Sequence, residues 1–186
     1  SILRKKWDTE TSAWVNDVNR IISYNEFFDV SSDLVQNWNG SAWTDSSRAT
    51  YTYTNEGYTS LYLEEVWEGG KWENIYREVW SYDAKEVTIS INNWDAGTSS
   101  WENDILITYF LDDQGYVTIL QYDYWNSVTR VYETGYYDEY AEDGTNPEYF
   151  EKIWNDSLNT FTEGIRILNA YYDNGDILQE IIQLWD

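Results

Sequence analysis

Tryptophan recurs along this chain about every 29 residues. It stands at positions 7, 38, 67, 94, 125, 154 and 185, and a second aromatic series follows a few residues behind each of the first six. Self-similarity at such a period is typical of repeat proteins, in which each repeat is one supersecondary unit. The sequence therefore predicts a single array over residues 1–186. Its units start near the members of the second series, which are Trp14, Trp43, Trp72, Trp101, Tyr132 and Phe161.

Each unit has the pattern of a β-hairpin. Every second residue from Trp72 to Tyr82 reads Trp, Asn, Tyr, Glu, Trp, Tyr, so an aromatic face is expected along the strand. Turns rich in Asn, Asp and Gly follow, for example at residues 54–57 and 112–115. The connections between the two Trp series are short, and short connections join antiparallel neighbours. We therefore predict an all-β fold, an antiparallel meander of about six 29-residue hairpin repeats with twelve or slightly more strands.

The sequence pattern does not determine whether this sheet is coiled, open or closed. Tyr51 and Tyr53 are assigned to one face, and Tyr62 of the returning strand to the other. The sheet could coil as a solenoid or superhelix, stay an open ribbon or close as a barrel, and apolar residues on both faces favour coiling or stacking over a flat sheet. Residues 176–185 also have helical spacing, but the other units favour a strand there. Both ends fall at the same phase of the repeat, so we expect a fragment of a longer array.

Composition excludes several classes of function. Lys and Arg total 11 against 34 Asp and Glu, and the formal charge of −23 repels nucleic acids and anionic lipid headgroups. His and Cys are absent, which excludes Ser-His-Asp triads, Cys nucleophiles, disulfides and ordinary zinc sites. No apolar run is long enough for a membrane-spanning helix.

The periodic aromatic residues are predicted to be structural. A ring at the same place in every unit is typical of packing between neighbours, because a single repeat cannot bury its own apolar face. This prediction covers Trp14, Trp38, Trp43, Trp67, Trp72, Trp94, Trp101, Trp125, Trp154 and Trp185. Aromatic residues outside the periodic frame are better candidates for sugar-stacking platforms. The candidate ligand-binding residues are Tyr116, Tyr122, Tyr124, Tyr136 and Tyr137.

Acidic residues offer two further functions, neither of which is favoured. Calcium would suit the turn carboxylates Asp112, Asp113, Asp173 and Asp176, but no known calcium-loop spacing is present, so no cofactor or metal is predicted. A glycoside hydrolase needs two carboxylates at a fixed separation. The divergent fifth unit contains Glu133, Asp138, Glu139, Glu142 and Asp143 near Pro147, but nothing defines a pair. We predict that the protein is not an enzyme.

The repeat resembles the Trp/Tyr-rich hairpin repeats of secreted and cell-surface proteins of the Bacteroidetes, which the type IX secretion system often exports. Matching residues are Trp43, Arg48, Tyr51, Tyr53 and Gly57, and Trp72, Asn74, Arg77, Tyr82 and Asp83. The likeness covers nearly the whole chain through a loose motif. It implies an extracellular or cell-surface location and a structural, adhesive or fibre-forming role, and it supplies no catalytic residues.

These observations predict an extracellular structural or adhesive repeat module, such as a self-assembling subunit of a surface fibre. Its partners would be further copies or neighbouring repeats, since open arrays leave edge strands able to pair. The first alternative is a carbohydrate-binding module that uses exposed Tyr and Trp to bind a polysaccharide. The second is a carboxylate-dependent glycoside hydrolase. No nucleic-acid partner and no membrane insertion are expected.

Overall fold

Thirteen antiparallel strands form one sheet in the computed structural model, which describes residues 1–140, 148–155, 160–172 and 176–184. Each strand pairs with the strands before and after it, and the order is open, with β1 and β13 at its ends. The predicted all-β meander is confirmed. The strands are β1 (Ile2–Asp8), β2 (Ala13–Tyr24), β3 (Val30–Trp38), β4 (Trp43–Tyr53), β5 (Thr59–Glu68), β6 (Lys71–Tyr82), β7 (Glu86–Asp95), β8 (Ser100–Leu111), β9 (Val117–Asn126), β10 (Val131–Glu139), β11 (Glu148–Asn155), β12 (Thr160–Tyr171) and β13 (Ile177–Leu184).

The chain divides into two compact units. Unit 1 comprises Ser1–Val79 and Asn93–Trp101, and unit 2 comprises Trp80–Asn92 and the residues from Glu102 onward. Each contains several complete hairpins. The strand preferred for the last segment is confirmed in unit 2, because Ile177–Leu184 pairs with β12 along most of its length.

A β-bulge recurs three residues after the second-series aromatic. In unit 1, Val35 pairs with Ser47 and Gln36 with Asp45, so Ser46 is an extra residue opposite β3. A bulge leaves one residue unpaired and increases the local twist of the strand. The pair registers place bulge residues at Asp17, Ser46, Ile75, Gly135 and Gly164.

These bulges overturn one prediction from the sequence. Alternation along β6 should place every second residue from Trp72 on one face, but Ile75 is inserted opposite β5. Trp72 and Asn74 therefore lie on one face, and Tyr76 and Glu78 lie on the other. The extra residue shifts the side-chain period by one, which reverses the face of everything beyond it.

The opposite ends of the hairpins carry a second set of bulges, on the returning strand. Their residues are Ser31, Ser60, Thr118 and Leu178. Between the bulges of the β4–β5 hairpin, Tyr51 pairs directly with Tyr62. The prediction that these two tyrosines lie on opposite faces is wrong, because cross-strand partners share a face.

Few side chains of the described residues are fully buried. The buried apolar ones are Ile89 and Ile107, and the buried polar ones are Glu65, Asn92, Thr108, Asp123, Asn126 and Asp138. Most other strand residues are half-buried. Pairs of side chains on neighbouring strands are therefore the main source of packing in each unit.

Candidate functional site

The two aromatic series meet in pairs at the ends of the short hairpin connections. Ring centroids lie 5.0–5.6 Å apart in edge-to-face geometry, an arrangement that adds about 0.5–1.5 kcal/mol beyond the buried area. The pairs are Trp7–Trp14, Trp38–Trp43, Trp67–Trp72, Trp94–Trp101 and Trp125–Tyr132. Trp154 and Phe161 are partners in the backbone register. Trp185 lies outside the described residues.

The residue after the first-series Trp fixes the connection that follows. At this position an Asp or Asn Oδ1 accepts backbone N–H groups two or three residues ahead, at 2.8–3.2 Å, as in an Asx-turn. The residues are Asp8, Asn39, Asp95 and Asn126. The β5–β6 connection uses Gly69 and Gly70 at φ +59° and +85°, as a two-residue hairpin turn requires.

A polar side chain lies two residues before the first-series aromatic, beside the bulge. In unit 2, Asn92 is buried and its Nδ2 donates to Oδ1 of Asn103 at 3.1 Å. In unit 1, Nε2 of Gln36 donates to Oδ1 of Asp45 at 2.8 Å. Asn103 and Asp45 both follow a second-series Trp by two residues. In both examples this position of the repeat pairs a polar group across the strands, buried at Asn92 and half-buried at Gln36, and buried polar groups need such partners.

Tyrosine rings form two cross-strand ladders, one in each unit. In unit 1 the rings of Tyr51, Tyr62 and Tyr76 follow one another at 5.0 and 6.1 Å. In unit 2 those of Tyr122, Tyr136 and Tyr149 follow at 5.1 and 5.3 Å. A hydroxyl in each ladder donates to a carboxylate two residues further on, as in Tyr76–Glu78 and Tyr149–Glu151, both at 2.7 Å. The hydrogen bond to Glu151, with burial, raises the pKa of Tyr149 to about 12.

The five candidate ligand-binding tyrosines lie in different environments in unit 2. Tyr116 is 66% exposed, in the turn before β9. Tyr122 and Tyr136 belong to the ring ladder, and Tyr136 occupies the repeat position of Tyr76. Burial raises the pKa of Tyr124, and burial with a hydrogen bond to Glu148 raises that of Tyr137 to about 12. Of the five, Tyr116 presents the most ring surface to solvent.

Two of the candidate carboxylates of the fifth unit, Asp138 and Glu133, already have hydrogen-bond partners. Asp138 is buried and accepts hydrogen bonds from the hydroxyls of Tyr136 and Tyr140. Oε1 of Glu133 accepts one from Nδ2 of Asn126 at 2.8 Å. Glu139 lies half-buried at the end of β10. Glu142, Asp143 and Pro147 lie outside the described residues.

The turn carboxylates considered for calcium form local contacts. Oδ1 of Asp112 accepts the backbone N–H groups of Gln114 and Tyr116 at 2.8 and 2.9 Å. Asp113 pairs with Lys85. Asp176 accepts the backbone N–H of Tyr172 through its carbonyl, and Asp173 lies outside the described residues. Across the part of the chain that is described, no three acidic side chains group together as metal ligands would.

A cleft of about 1090 Å³ lies between two loops of unit 1, and sequence reasoning missed it. We name residues 25–29, between β2 and β3, the Phe loop, and residues 54–58, between β4 and β5, the Gly loop. Phe27 and Phe28 at the tip of the Phe loop are 75% and 87% exposed. Phe28 has a φ angle of +68°. At the equivalent position of the Gly loop, Gly57 has a φ angle of +88°. The signal in the sequence was the replacement of the repeat glycine by phenylalanine.

A smaller cleft of about 310 Å³ in unit 1 is lined by groups that already bind one another. Nε of Arg20 donates to Oδ1 of Asp33 at 2.8 Å, and Nη2 of Arg48 donates to Oε1 of Glu65 at 2.9 Å. The Arg48 guanidinium also lies 4.5 Å from the ring centroid of Trp72. A ligand there would have to displace ion pairs, so the Phe loop is the stronger candidate site.

Comparisons with known proteins show a likeness of fold alone. The chain matches no family model and no curated protein. Its fold is similar to that of a protein of unknown function from Bacteroides fragilis, at 13% identity and a TM-score of 0.56, covering 66% of this chain and 91% of that one. A DUF3836 family protein from Bacteroides vulgatus is 16% identical with a TM-score of 0.43, covering 50% and 97% of the two chains. A porin-like protein from Bacteroides uniformis is 13% identical with a TM-score of 0.31, covering 89% and 56%.

The last strand of the sheet is the most exposed strand of unit 2. Every residue of β13 is exposed, including Ile177, Leu178, Ile181, Ile182 and Leu184. Strand β1, in unit 1, is exposed at all positions but one, and it carries Arg4, Lys5 and Lys6. As for membranes, no helix long and apolar enough to cross one occurs in the described ranges.

Proposed function

We propose that this protein is an extracellular or cell-surface structural module that assembles through the two edge strands of its sheet, β1 and β13. The observation that carries the proposal is the exposure of β13, which presents five Ile and Leu side chains to solvent. An exposed edge strand offers unpaired N–H and C=O groups to another strand, and apolar side chains favour such pairing. The module would serve as an adhesive unit or as the subunit of a surface fibre.

The two terminal strands differ in the protection of their edges. Natural sheets protect edges with charged residues, especially Lys, or with Pro. Strand β1 has three cationic residues, whereas β13 has Glu180 as its one charged residue. Two β1 edges would repel each other, and a β1 edge facing a β13 edge would bring opposite charges together. We therefore expect contacts in which β13 of one copy meets β1 of the next.

A contact between two different edges repeats without closing. Such a heterologous contact generates open rods or filaments unless the rotation between copies closes a ring. Assembly at micromolar concentration is thus expected to give a series of oligomers of increasing size rather than a single dimer. This expectation agrees with the fibre-forming role implied by the resemblance of the repeat.

The test is light scattering with size-exclusion chromatography, followed by negative-stain electron microscopy. Ile182→Lys and Leu184→Lys on β13 should abolish assembly, because each adds a desolvated charge to the new interface. Lys5→Glu on β1 should weaken it through repulsion from Glu180. Val128→Lys, at an exposed turn valine, is the matched control and should assemble like the parent chain.

Two results would overturn the proposal. One is a strict monomer at 100 µM parent protein. The other is assembly that persists in all three strand variants. If assembly is lost in the two β13 variants but is unchanged in Lys5→Glu, the contact would instead be between two β13 strands. The location is tested separately, by protease treatment of intact source cells followed by detection with antibody.

A further inference from the structure

The Phe loop has a phenylalanine, Phe28, at a backbone position that favours glycine, and the packing of the fold does not explain this choice of residue. A bulky residue at φ +68° is rare because its Cβ crowds the backbone, and the equivalent loops have Gly57 and Gly115 at +88° and +85°. Phe28 is also 87% exposed, so burial of its ring offsets little of this cost. Outlying backbone conformations of this kind concentrate at functional sites.

We propose that the Phe loop and the cleft beside it bind a neutral polysaccharide. The rings of Phe27 and Phe28 would stack on the apolar faces of sugar rings. The cleft is lined by Phe27 and Tyr53 together with polar side chains that include Asn25, Glu26, Asp29 and Glu56. Aromatic surface beside a few hydrogen-bonding groups is typical of small-ligand sites, and it matches a pyranose with its apolar face and hydroxyl rim.

Side chains, rather than backbone, must provide the recognition. The backbone N–H of Asn25 donates to Asp29 O at 2.9 Å, and that of Phe28 donates to Asn25 O at 3.2 Å. Across the cleft, the N–H groups of Thr54 and Gly57 are bonded within their own loop. A peptide that binds by strand addition would therefore find few main-chain partners here. Hydroxyl groups of a sugar would be held by carboxylate and amide side chains.

The charge of the cleft restricts the class of ligand. Glu26, Asp29 and Glu56 line it, and among the described residues no Lys or Arg does. Phosphate, sulfate and uronate groups would be repelled, as would anionic lipid headgroups. Neutral glycans of glucose, mannose or galactose units avoid this repulsion. Their hydroxyls can donate to the carboxylates, and hydrogen bonds to charged groups are stronger than neutral ones.

The experiment is affinity gel electrophoresis with soluble laminarin, xyloglucan and galactomannan, followed by calorimetry on the best one. Phe28→Gly is the decisive variant, because it restores the glycine of the other loops. We expect it to raise the melting temperature by ~1–2 °C while weakening binding at least tenfold. A gain in stability with a loss of binding cannot result from unfolding.

Two further variants complete the design. Phe27→Ala should weaken binding by a similar factor. Tyr172→Ala is the matched control, since it removes an exposed aromatic next to a turn of unit 2 and should leave binding unchanged. Because the Phe loop is not part of β1 or β13, the assembly variants should also bind normally, so the two proposals can fail independently.

Several outcomes would overturn the inference. No retardation by any of the three glycans would do so, as would equal affinity in the parent chain and Phe28→Gly. Binding to phosphatidylcholine vesicles, lost in Phe28→Gly, would assign the loop to a membrane surface instead. Binding to poly-lysine with the same loss would assign it to a cationic peptide.

Discussion

The Phe loop and the Gly loop share the same pattern of backbone hydrogen bonds but have different residues at their tips. In the Phe loop, Phe28 N donates to Asn25 O at 3.2 Å, and in the Gly loop Gly57 N donates to Thr54 O at 3.1 Å. In each loop the backbone N–H of the first residue also donates to the carbonyl of the last residue, at 2.9 Å in the Phe loop and 2.7 Å in the Gly loop. Loop length and the bulge that follows therefore determine the conformation. Glycine lowers its cost but is not required for it.

The largest effect is expected from the side chain that begins each loop. Oδ1 of Asn25 accepts the N–H groups of Phe27 and Asp29, both at 2.9 Å. Asn25→Ala should lower the free energy of unfolding by about 1.5 kcal/mol, because two loop donors lose their acceptor. Denaturant unfolding measures the change. Asn25→Thr, which copies Thr54, should lose less, and equal losses in both variants would contradict this account.

Exchange of the tip residue sharpens the comparison. Gly57→Phe should lower the free energy of unfolding by about 1 kcal/mol, since phenylalanine is disfavoured at positive φ. The cost is conformational, because a Cβ built on Gly57 meets no atom within 4 Å. Urea unfolding of Gly57→Phe is compared with that of Gly57→Asn, because asparagine tolerates positive φ better than phenylalanine. The difference between the two variants separates the conformational cost of positive φ from any steric cost of a side chain at this position. A loss in Gly57→Asn as large as in Gly57→Phe would argue against it.

The hydroxyl of Tyr53 joins the Gly-loop hairpin to the start of β3. It donates to the carbonyl of Val30 at 2.7 Å. Tyr53→Phe should lower the free energy of unfolding by about 1 kcal/mol, the usual net value of one hydrogen bond. Tyr24 occupies the same repeat position and is exposed, so Tyr24→Phe is the control and should have no effect. A thermal melt that ranks the two variants equally would refute the assignment.

The reverse substitution, from phenylalanine to glycine in the Phe loop, should change the free energy of unfolding in the opposite direction. Phe28→Gly should raise the free energy of unfolding by about 0.5 kcal/mol, less than Gly57→Phe loses, because Phe28 retains a little packing. Paired chemical denaturation of the parent and the variant resolves this difference. A destabilised Phe28→Gly would show that the ring supports the fold and would weaken the binding proposal.

The smallest effect is a pH dependence tied to Tyr53. Burial, followed by the nearby charge of Asp29, raises the pKa of Tyr53. The folded state therefore holds this proton more tightly than the unfolded state. Its contribution to stability is complete below about pH 10 and is lost as pH rises through the folded pKa. Unfolding free energies from pH 9 to 11 should fall less steeply in Tyr53→Phe, and parallel curves would oppose this origin.

The sequence by itself determined the array of hairpins. The spacing of Trp38, Trp43, Trp67 and Trp72 located the connections, and residues such as Asn39 and Gly57 located the turns. These signals are local, because turn chemistry and strand period act over a few neighbouring residues. The strand order and the strand at 177–184 followed from them and are confirmed.

Only the tertiary structure decided which side chains share a face. A bulge such as Ser46 exists in the register between two strands, so no pattern within one strand reveals it. That register placed Tyr51 against Tyr62 and gave Asn103 the buried partner Asn92. It also brought the Phe loop beside the Gly loop and formed the cleft between them. Contacts between residues far apart in the chain depend on how strands pair, and that pairing is a property of the whole sheet.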